Sequence, residues 1–355
     1  MELSMIHAGI LGGSGYMGGE ALRVLVDHPS VEVSWATSRQ PGPIEERHPN
    51  LYGTSIELIH PDDAAPCDVV FMALPTETSM EVANRYLSAG SKVIDLGSAF
   101  RLRDRAVWEK VYGMTHTHWS LVEEAVYGVS ELHKDEIAQA DLVANPGCFS
   151  SAAILGFAPL IAKNLIDTDK LSVDGLSGTA GVGAELARAA HHPEIGNNLV
   201  AYNATGHRHT YEMEQELGSL AGSEVRVHFT PIYVPITRGI LNVCRGFLTE
   251  LRSRIELLDL YREYYEGHPF VQVYDLPKEP SASWQYKPYP WVSAIAGTNY
   301  CHIGLDVDED RGSVVVFSAL DSVGKGGAQV GIENMNLMFE LDRKLGLTRR
   351  GMHPN

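Results

Sequence analysis

Short apolar runs alternate with helical spacing over the first hundred residues. Residues 5–11, 31–37, 68–73 and 92–95 are rich in apolar and β-branched side chains and read as strands. A helix is expected from near Gly15 through residues 20–26, and another over 78–89. Strand, helix, strand in this rhythm implies a parallel sheet with right-handed crossovers. The rhythm changes after residue 150. An apolar helix at 152–162 is followed by a strand at 170–176 and a Gly-rich loop at 178–183. Longer, partly alternating strands at 225–234, 240–248 and 313–319 suggest a mostly antiparallel sheet. Residues 326–345 return to a helical period, and no internal repeat or long linker separates the halves. The expected class is α/β, a Rossmann-type doubly wound parallel sheet plus an α+β domain with a mostly antiparallel sheet. The expected domains are residues 1–147 joined by 324–355, and residues 148–323.

Composition narrows the function classes. Of the 355 residues, 44% are apolar and 21% charged, ample for two buried cores. The balance of 28 Lys and Arg against 45 Asp and Glu is −17, a surface that repels phosphate backbones and anionic lipid. Neither nucleic acid nor membrane is therefore expected as a partner. No apolar run approaches the ~20 residues of a membrane span, and residues 1–10 lack the basic start and apolar core of a signal peptide. The cysteines at 67, 148, 244 and 301 fit neither a disulfide framework nor a zinc ribbon. Reduced thiols in a cytoplasm, with no metal, are expected.

Gly13-Ser14-Gly15-Tyr16-Met17-Gly18 matches G-x-G-x-x-G between the first expected strand and helix. Gly13 would permit the tight turn, Gly15 the approach of a pyrophosphate, and Gly18 close packing of helix on sheet. Such a turn can be purely structural; its place in a βαβ unit favours a dinucleotide. Where an NAD site usually carries Asp or Glu, the second strand ends in Thr37-Ser38-Arg39. Ser38 can donate to a 2′-phosphate and Arg39 can pair with it, so NADP is expected. The alternative for Arg39 is a solvated surface residue.

Asn145-Pro146-Gly147-Cys148 follows a short strand at 141–144 and precedes the helix at 152. That places the thiol at a helix N-terminus, where dipole and N–H groups favour thiolate and can receive an oxyanion. A lone cysteine is more often a small buried hydrophobe, but the Pro-Gly turn points to a nucleophile. Cys67 follows a proline, and Cys244 and Cys301 lie in strand-like runs.

These segments together resemble the N-acetyl-gamma-glutamyl-phosphate reductase family, the arginine-biosynthesis relatives of aspartate-semialdehyde dehydrogenase. The resemblance rests on Gly12–Gly18 with Glu20, Ala73-Leu74-Pro75, Asp95-Leu96-Gly97-Ser98-Ala99-Phe100-Arg101, Val126-Tyr127-Gly128 and Ala144-Asn145-Pro146-Gly147-Cys148. It continues through Gly206-His207-Arg208-His209-Thr210, Pro235-Ile236-Thr237-Arg238-Gly239, Gly297-Thr298-Asn299 and Asn334-Met335-Asn336. The chain departs from the family's pattern at Phe149-Ser150-Ser151, in the loop Gly181-Val182-Gly183-Ala184-Glu185, and at Tyr211.

The motif Gly206-His207-Arg208-His209-Thr210 precedes a helical run at 211–217, with Thr210 the expected N-cap. His-x-His lacks a third ligand at metal spacing. An imidazole suits proton transfer near neutrality; two hydrogen-bonded imidazoles at a domain junction are the alternative. The resemblance implies a catalytic histidine here, taken as His209, with His207 second. Arg101 and Arg238 read as anion binders in an acidic chain, with solvated arginine as the alternative. Arg101 stands near the expected carboxyl edge of the sheet, and the resemblance gives its loop to the phosphate site. Arg238 would pair bidentately with a substrate carboxylate.

The resemblance further implies cofactor contacts at Leu74, Pro75, Ser98, Gly178 and Asn334, the last with the Gly324-Lys325-Gly326 turn near the nicotinamide. Asn145 would join Arg101 and Arg238 at the substrate. The first domain would then bind NADP, and the second would carry catalysis and dimerisation, as a homodimer or homotetramer through its sheet. The expected reaction is NADPH-dependent reduction of N-acetyl-L-glutamyl 5-phosphate, a small-molecule acyl phosphate, through a Cys148 thioester. Two alternatives stand beside it. One is reduction of an aminoadipyl phosphate linked to an acidic carrier protein in lysine biosynthesis; the other is a non-catalytic NADP-binding sensor.

Overall fold

The computed structural model describes residues 5–274 and 289–352. Residues 1–4, 275–288 and 353–355, which the expected domain spans include, lie outside the described residues. The chain divides into two compact units, Met1–Pro146 with Gly327–Arg349, and Gly147–Gly326 with Arg350–Asn355. Residues 147, 324–326 and 350–352, grouped in the sequence reading with the first domain, thus fall in the second unit. Arg350 lies over the Tyr300 ring, 4.5 Å from its centroid, and Gly351 packs on the Ala294 carbonyl.

The first unit is built from β1 (Ile6–Leu11), α1 (Tyr16–Leu25), β2 (Val31–Thr37), β3 (Gly42–Pro43), β4 (Glu57–Ile59), β5 (Val69–Met72), α2 (Thr76–Ser88) and β6 (Lys92–Asp95). It continues with α3 (Arg105–Tyr112), α4 (Trp119–Glu124), β7 (Val126–Tyr127), α5 (Lys134–Gln139) and β8 (Leu142–Ala144). Its sheet runs β3-β4-β2-β1-β5-β6-β8-β7, parallel throughout except for the β3–β4 edge. Central strands covered on both faces need near-continuous apolar runs, and all four residues of β5 are buried. β1 pairs with β2 on one side and β5 on the other, so the strand order reverses there. A crevice at the carboxyl ends of such strands is where ligands of doubly wound sheets bind. The last helix, Gln329–Met338, is wholly buried in this unit. The helical period expected over 326–345 is thus realised only in part. Gly327 is extended (φ −161°) before the helix, and Glu340 takes a left-handed φ of 55° after it.

The second unit opens with α6 (Cys148–Ala162), then β9 (Leu171–Ser177), α7 (His192–Ile195), β10 (Val200–Ala201), α8 (Arg208–Ala221), β11 (Val227–Tyr233) and β12 (Ile240–Phe247). After these come α9 (Arg254–Tyr264), β13 (Val271–Val273), β14 (Cys301–Asp308) and β15 (Ser313–Leu320). The sheet order is β10-β11-β9-β12-β15-β14-β13, mostly antiparallel, with β11–β9 and β14–β13 parallel. α6 is apolar all round and buried from Phe149 to Ile161, as a helix enclosed on every side must be. It packs on β12, β15 and α8. Along β12 buried and more exposed residues alternate, so one face of the sheet meets α6 and the other carries Leu241, Val243 and Phe247. Among the described residues no helix is long and apolar enough to cross a membrane.

Candidate active site

In the first unit the glycine turn sits where β1 hands over to α1. The left-handed residue of the turn is Gly12 (φ 81°), one position before the motif's first glycine. A side chain at Gly12 would also meet the Ala73 carbonyl oxygen at 2.3 Å. Gly13 matters instead for room, since a Cβ there would lie 3.0 Å from that of Ala36. Gly18 takes its expected part: a Cβ would stand 2.3 Å from the Gly12 oxygen, so only glycine lets α1 pack this closely. At Gly15, the N-cap of α1, the nearest atom to a Cβ is 3.6 Å away. No side chain caps the helix and no acid stands in its first turn, the local setting that favours an anion at a helix N-terminus.

Beside this turn, Ser38 follows β2 with its hydroxyl accepting from the Gln40 N–H (3.1 Å), and Arg39 is exposed. Arg47, which the motifs do not single out, pairs with Gln40 and adds a second guanidinium nearby. The ends of β5 and β6 complete the edge. Ser98 Oγ lies 2.9 Å from Thr76 Oγ1, Pro75 is the N-cap of α2, and the Leu74 oxygen is 3.0 Å from where a Gly97 Cβ would be. Asp95 organises this loop, accepting from Ser79, from the Gly97 N–H and from the Ala99 N–H. Burial is the largest influence on its carboxyl and raises its pKa; the nearby charge of Arg101 acts the other way. Arg101 is buried, with Nη2 3.5 Å from the Leu96 oxygen.

Two residues expected at ligands also make bonds inside the unit. Asn145 is buried and donates to the Gly327 carbonyl (2.9 Å), while Asn334 donates to the Gly128 carbonyl (2.9 Å). Asn336 likewise bonds the Arg343 and Leu345 carbonyls.

In the second unit, α6 begins at Cys148 itself, four residues before the expected start, with Gly147 as N-cap and no side-chain cap. The thiol therefore stands on the first helical residue, at the positive end of a fifteen-residue helix. The His209 imidazole lies directly against Gly147: a Cβ there would be 2.5 Å from Nε2. Beneath both is Glu212, fully buried on α8 and absent from the sequence reading. Its Oε2 accepts from the Gly147 N–H and from Ser150 Oγ, each at 2.9 Å, and its Oε1 is 3.9 Å from His209 Nε2. Gly326 closes the other side, where a Cβ would be 2.7 Å from that of Cys148.

His207 does a different job. It is the N-cap of α8, its Nδ1 accepting from the His209 N–H at 3.1 Å, so the expected cap at Thr210 is displaced three residues upstream. Burial, then the charge of Arg208, lowers its pKa to about 4, which keeps the imidazole neutral and able to accept. The rings of His207 and His209 are 4.7 Å apart, and Tyr202 stacks on Tyr233 at 4.2 Å beside them. Burial pushes the Cys67 thiol up to about 11 and that of Cys244 higher still, so neither is a ready nucleophile.

Arg238, expected at a substrate carboxylate, makes its bidentate pair with Asp321, at 2.9 and 3.1 Å. Gly178, expected at the cofactor, is where two loops touch: a Cβ would meet the Thr237 oxygen at 2.7 Å. Among the described residues no group of three His, Cys, Asp or Glu side chains is placed to hold a metal ion.

Both units match known families. Residues 7–140 match the semialdehyde dehydrogenase NAD-binding domain, and residues 148–322 the semialdehyde dehydrogenase dimerisation domain. The fold is that of solved aspartate semialdehyde dehydrogenases. The Vibrio cholerae aspartate semialdehyde dehydrogenase II complexed with ASA has a TM-score of 0.70 at 15% identity, covering 95% of this chain and 99% of that one. The Candida albicans enzyme with NADP has a TM-score of 0.66 at 16% identity, covering 94% and 98%. These likenesses define a semialdehyde-dehydrogenase-type α/β protein. Sequence relatives go further. The N-acetyl-gamma-glutamyl-phosphate reductase of Methanopyrus kandleri is 43% identical over 99% of this chain and 100% of its own length. That of Desulforudis audaxviator is 42% identical, with the same coverage. The chain belongs to the N-acetyl-gamma-glutamyl-phosphate reductase family.

Proposed function

We propose that the protein reduces N-acetyl-L-glutamyl 5-phosphate to N-acetyl-L-glutamate 5-semialdehyde and phosphate, with NADPH, through a thioester on Cys148. The observation that carries the mechanism is the thiol-bearing first residue of α6, with His209 against Gly147 and Glu212 bonded beneath. Cys148 attacks the acyl carbon as thiolate, and phosphate leaves with the electron pair of the C–O bond. The N–H groups at the start of α6, that of Cys148 among them, are suited to the oxyanion of this step. When bound, NADPH supplies the hydride that reduces the thioester. The hemithioacetal then collapses to aldehyde and thiolate, so covalent catalysis divides the reduction into two easier steps. His209 takes the proton from the thiol and returns it when the sulfur departs. His207, held neutral as a cap, is left to position His209.

The residues of the first unit fit NADP. Open space at Gly15 and the uncapped start of α1 suit a pyrophosphate, and Ser38 and Arg39 stand where an acid would select NAD. In the second unit Arg238 would meet the substrate carboxylate. Arg101 would serve the leaving phosphate, favoured by its loop at the carboxyl edge of the sheet. The half-exposed face of the second sheet, where Leu241, Val243 and Phe247 stand beside the Arg245–Asp174 pair, lies within residues that match a dimerisation domain and supports a homodimer or homotetramer. A cytoplasmic location fits the chemistry and the thiols.

The carrier-linked and sensor readings are not favoured, because full-length relatives bear the reductase name. The test is phosphate-dependent reduction of NADP⁺ by N-acetyl-glutamate 5-semialdehyde, beside the carrier-linked aminoadipate semialdehyde. Turnover of the free substrate is expected. Turnover of the carrier-linked one alone would replace the substrate, and silence on both with NADPH bound would favour the sensor.

A further inference from the structure

Asp321 follows β15 and is fully buried. A buried carboxylate is costly unless its oxygens are matched by donors, and here five donors converge on it. Oδ2 accepts from Arg238 Nε (2.9 Å) and from the Gly297 N–H; Oδ1 accepts from Arg238 Nη2 (3.1 Å) and from the N–H groups of Val323 and Gly324, each at 2.9 Å. Its own carbonyl accepts from the Gly326 N–H at 2.9 Å. One side chain therefore fixes the plane of Arg238 and clasps the turn whose Gly326 lies against Cys148. Arg238 keeps 27% of its side chain exposed, while Asp321 has none. The pair is a partly solvated cation aimed by a buried acid.

We propose that Asp321 is a positioning residue for substrate binding. By holding the guanidinium as a fork it presents Arg238 in one orientation to the substrate carboxylate, in register with the turn behind the nucleophile. An arginine already ordered loses less rotamer freedom when an anion arrives. The inference rests on the assignment of Arg238 to the substrate carboxylate, and the experiment separates the two.

KM and kcat are measured with N-acetyl-glutamate 5-semialdehyde, and with an analogue lacking the α-carboxylate, for the parent, Arg238→Gln, Arg238→Lys, Asp321→Asn and the Arg238→Gln/Asp321→Asn double variant. Thermal melting and the alkylation rate of Cys148 are followed alongside. Arg238→Gln and Asp321→Asn are each expected to raise KM by about tenfold or more with a much smaller change in kcat. The double variant should match Arg238→Gln in KM, and the KM of the analogue, which has no carboxylate to lose, should change far less than that of the substrate in every variant. Arg238→Lys keeps the charge but cannot form the fork, so it should raise KM as Arg238→Gln does. If Arg238→Gln leaves KM unchanged, the carboxylate assignment fails and the proposal falls with it. If Arg238→Gln raises KM while Asp321→Asn behaves as the parent, the assignment stands and the positioning role is overturned. Should Asp321→Asn not fold, Asp321→Glu, which keeps the charge but displaces the carboxylate by one methylene, takes its place: a raised KM for the substrate alone supports positioning, and a parental KM overturns it.

Discussion

Replacing Glu212 by Gln tests whether the buried carboxylate acts in catalysis or only in folding. Glu212 has two jobs on two oxygens. Oε2 satisfies the Gly147 N–H and Ser150 Oγ, and Oε1 faces His209 Nε2 at 3.9 Å. Gln keeps an oxygen for the first job and removes the charge from the second. Opposite unit charges near 4 Å attract by about 4 kcal/mol at an effective dielectric of 20. If relaxation returns a quarter of that, about 3 kcal/mol is lost from any step that passes through protonated His209, roughly a hundredfold in rate. Glu212→Ala removes both oxygens and also strands two buried donors, at about 1–3 kcal/mol each. The assay is the single-turnover release of phosphate from the acyl phosphate, with melting temperature measured on the same samples. Glu212→Gln should melt close to the parent and turn over about a hundredfold more slowly, whereas Glu212→Ala should lose both. A Glu212→Gln enzyme within twofold of parental turnover would refute the catalytic role and leave Glu212 a brace for the Gly147 turn.

Three further outcomes follow from the geometry. Gly15→Ala meets nothing closer than 3.6 Å and should melt with the parent, yet weaken NADPH binding by about tenfold or more, because the methyl stands where the pyrophosphate approaches; titration calorimetry reads the difference, and parental affinity would refute that placement. Arg39→Asp should weaken NADPH binding by about 10–100-fold while leaving NADH binding little changed, and equal losses for both cofactors would place the 2′-phosphate elsewhere. His207 has a folded pKa lowered to about 4, below its ordinary value, so the unfolded chain binds the extra proton between those two points. Its contribution of about 3 kcal/mol is full above pH ~6.5 and is lost as pH falls towards 4. Asn is a good N-cap, so His207→Asn should keep the helix and reduce the slope of stability against pH across that window, leaving the slope due to His28, His116 and His302, whose pKa burial also lowers. An unchanged slope would contradict the assignment.

Much of the first unit was legible because its signals are local. β2 and β6 occupy the residues their apolar runs mark, and the glycine turn stands between β1 and α1. The motif marks Gly13 at the tight turn, but motif spacing does not say which of two adjacent glycines takes positive φ; here it is Gly12, packed on the Ala73 carbonyl. Cys148 was legible as a nucleophile, but α6 starts earlier than its apolar period because Gly147 and Ser150 are held by Glu212, more than sixty residues away in sequence. Glu212 lies three residues after His209, the spacing that puts two side chains on one helical face, and that was the one local clue to it. Asp321 left no such clue, since its five donors come from three separated segments. The same holds for Asn145 and Asn334, whose partners are backbone carbonyls that only folding brings near.

The mechanism turns on a thioester at Cys148, which mass spectrometry of the enzyme mixed with N-acetyl-L-glutamyl 5-phosphate in the absence of NADPH would detect. The mechanism requires a stoichiometric burst of phosphate and an N-acetylglutamyl adduct on the peptide carrying Cys148, discharged to aldehyde when NADPH is added. Cys148→Ser should show neither discharge nor turnover. Full turnover in that variant, or an adduct on another residue that NADPH discharges at the steady-state rate, would contradict it.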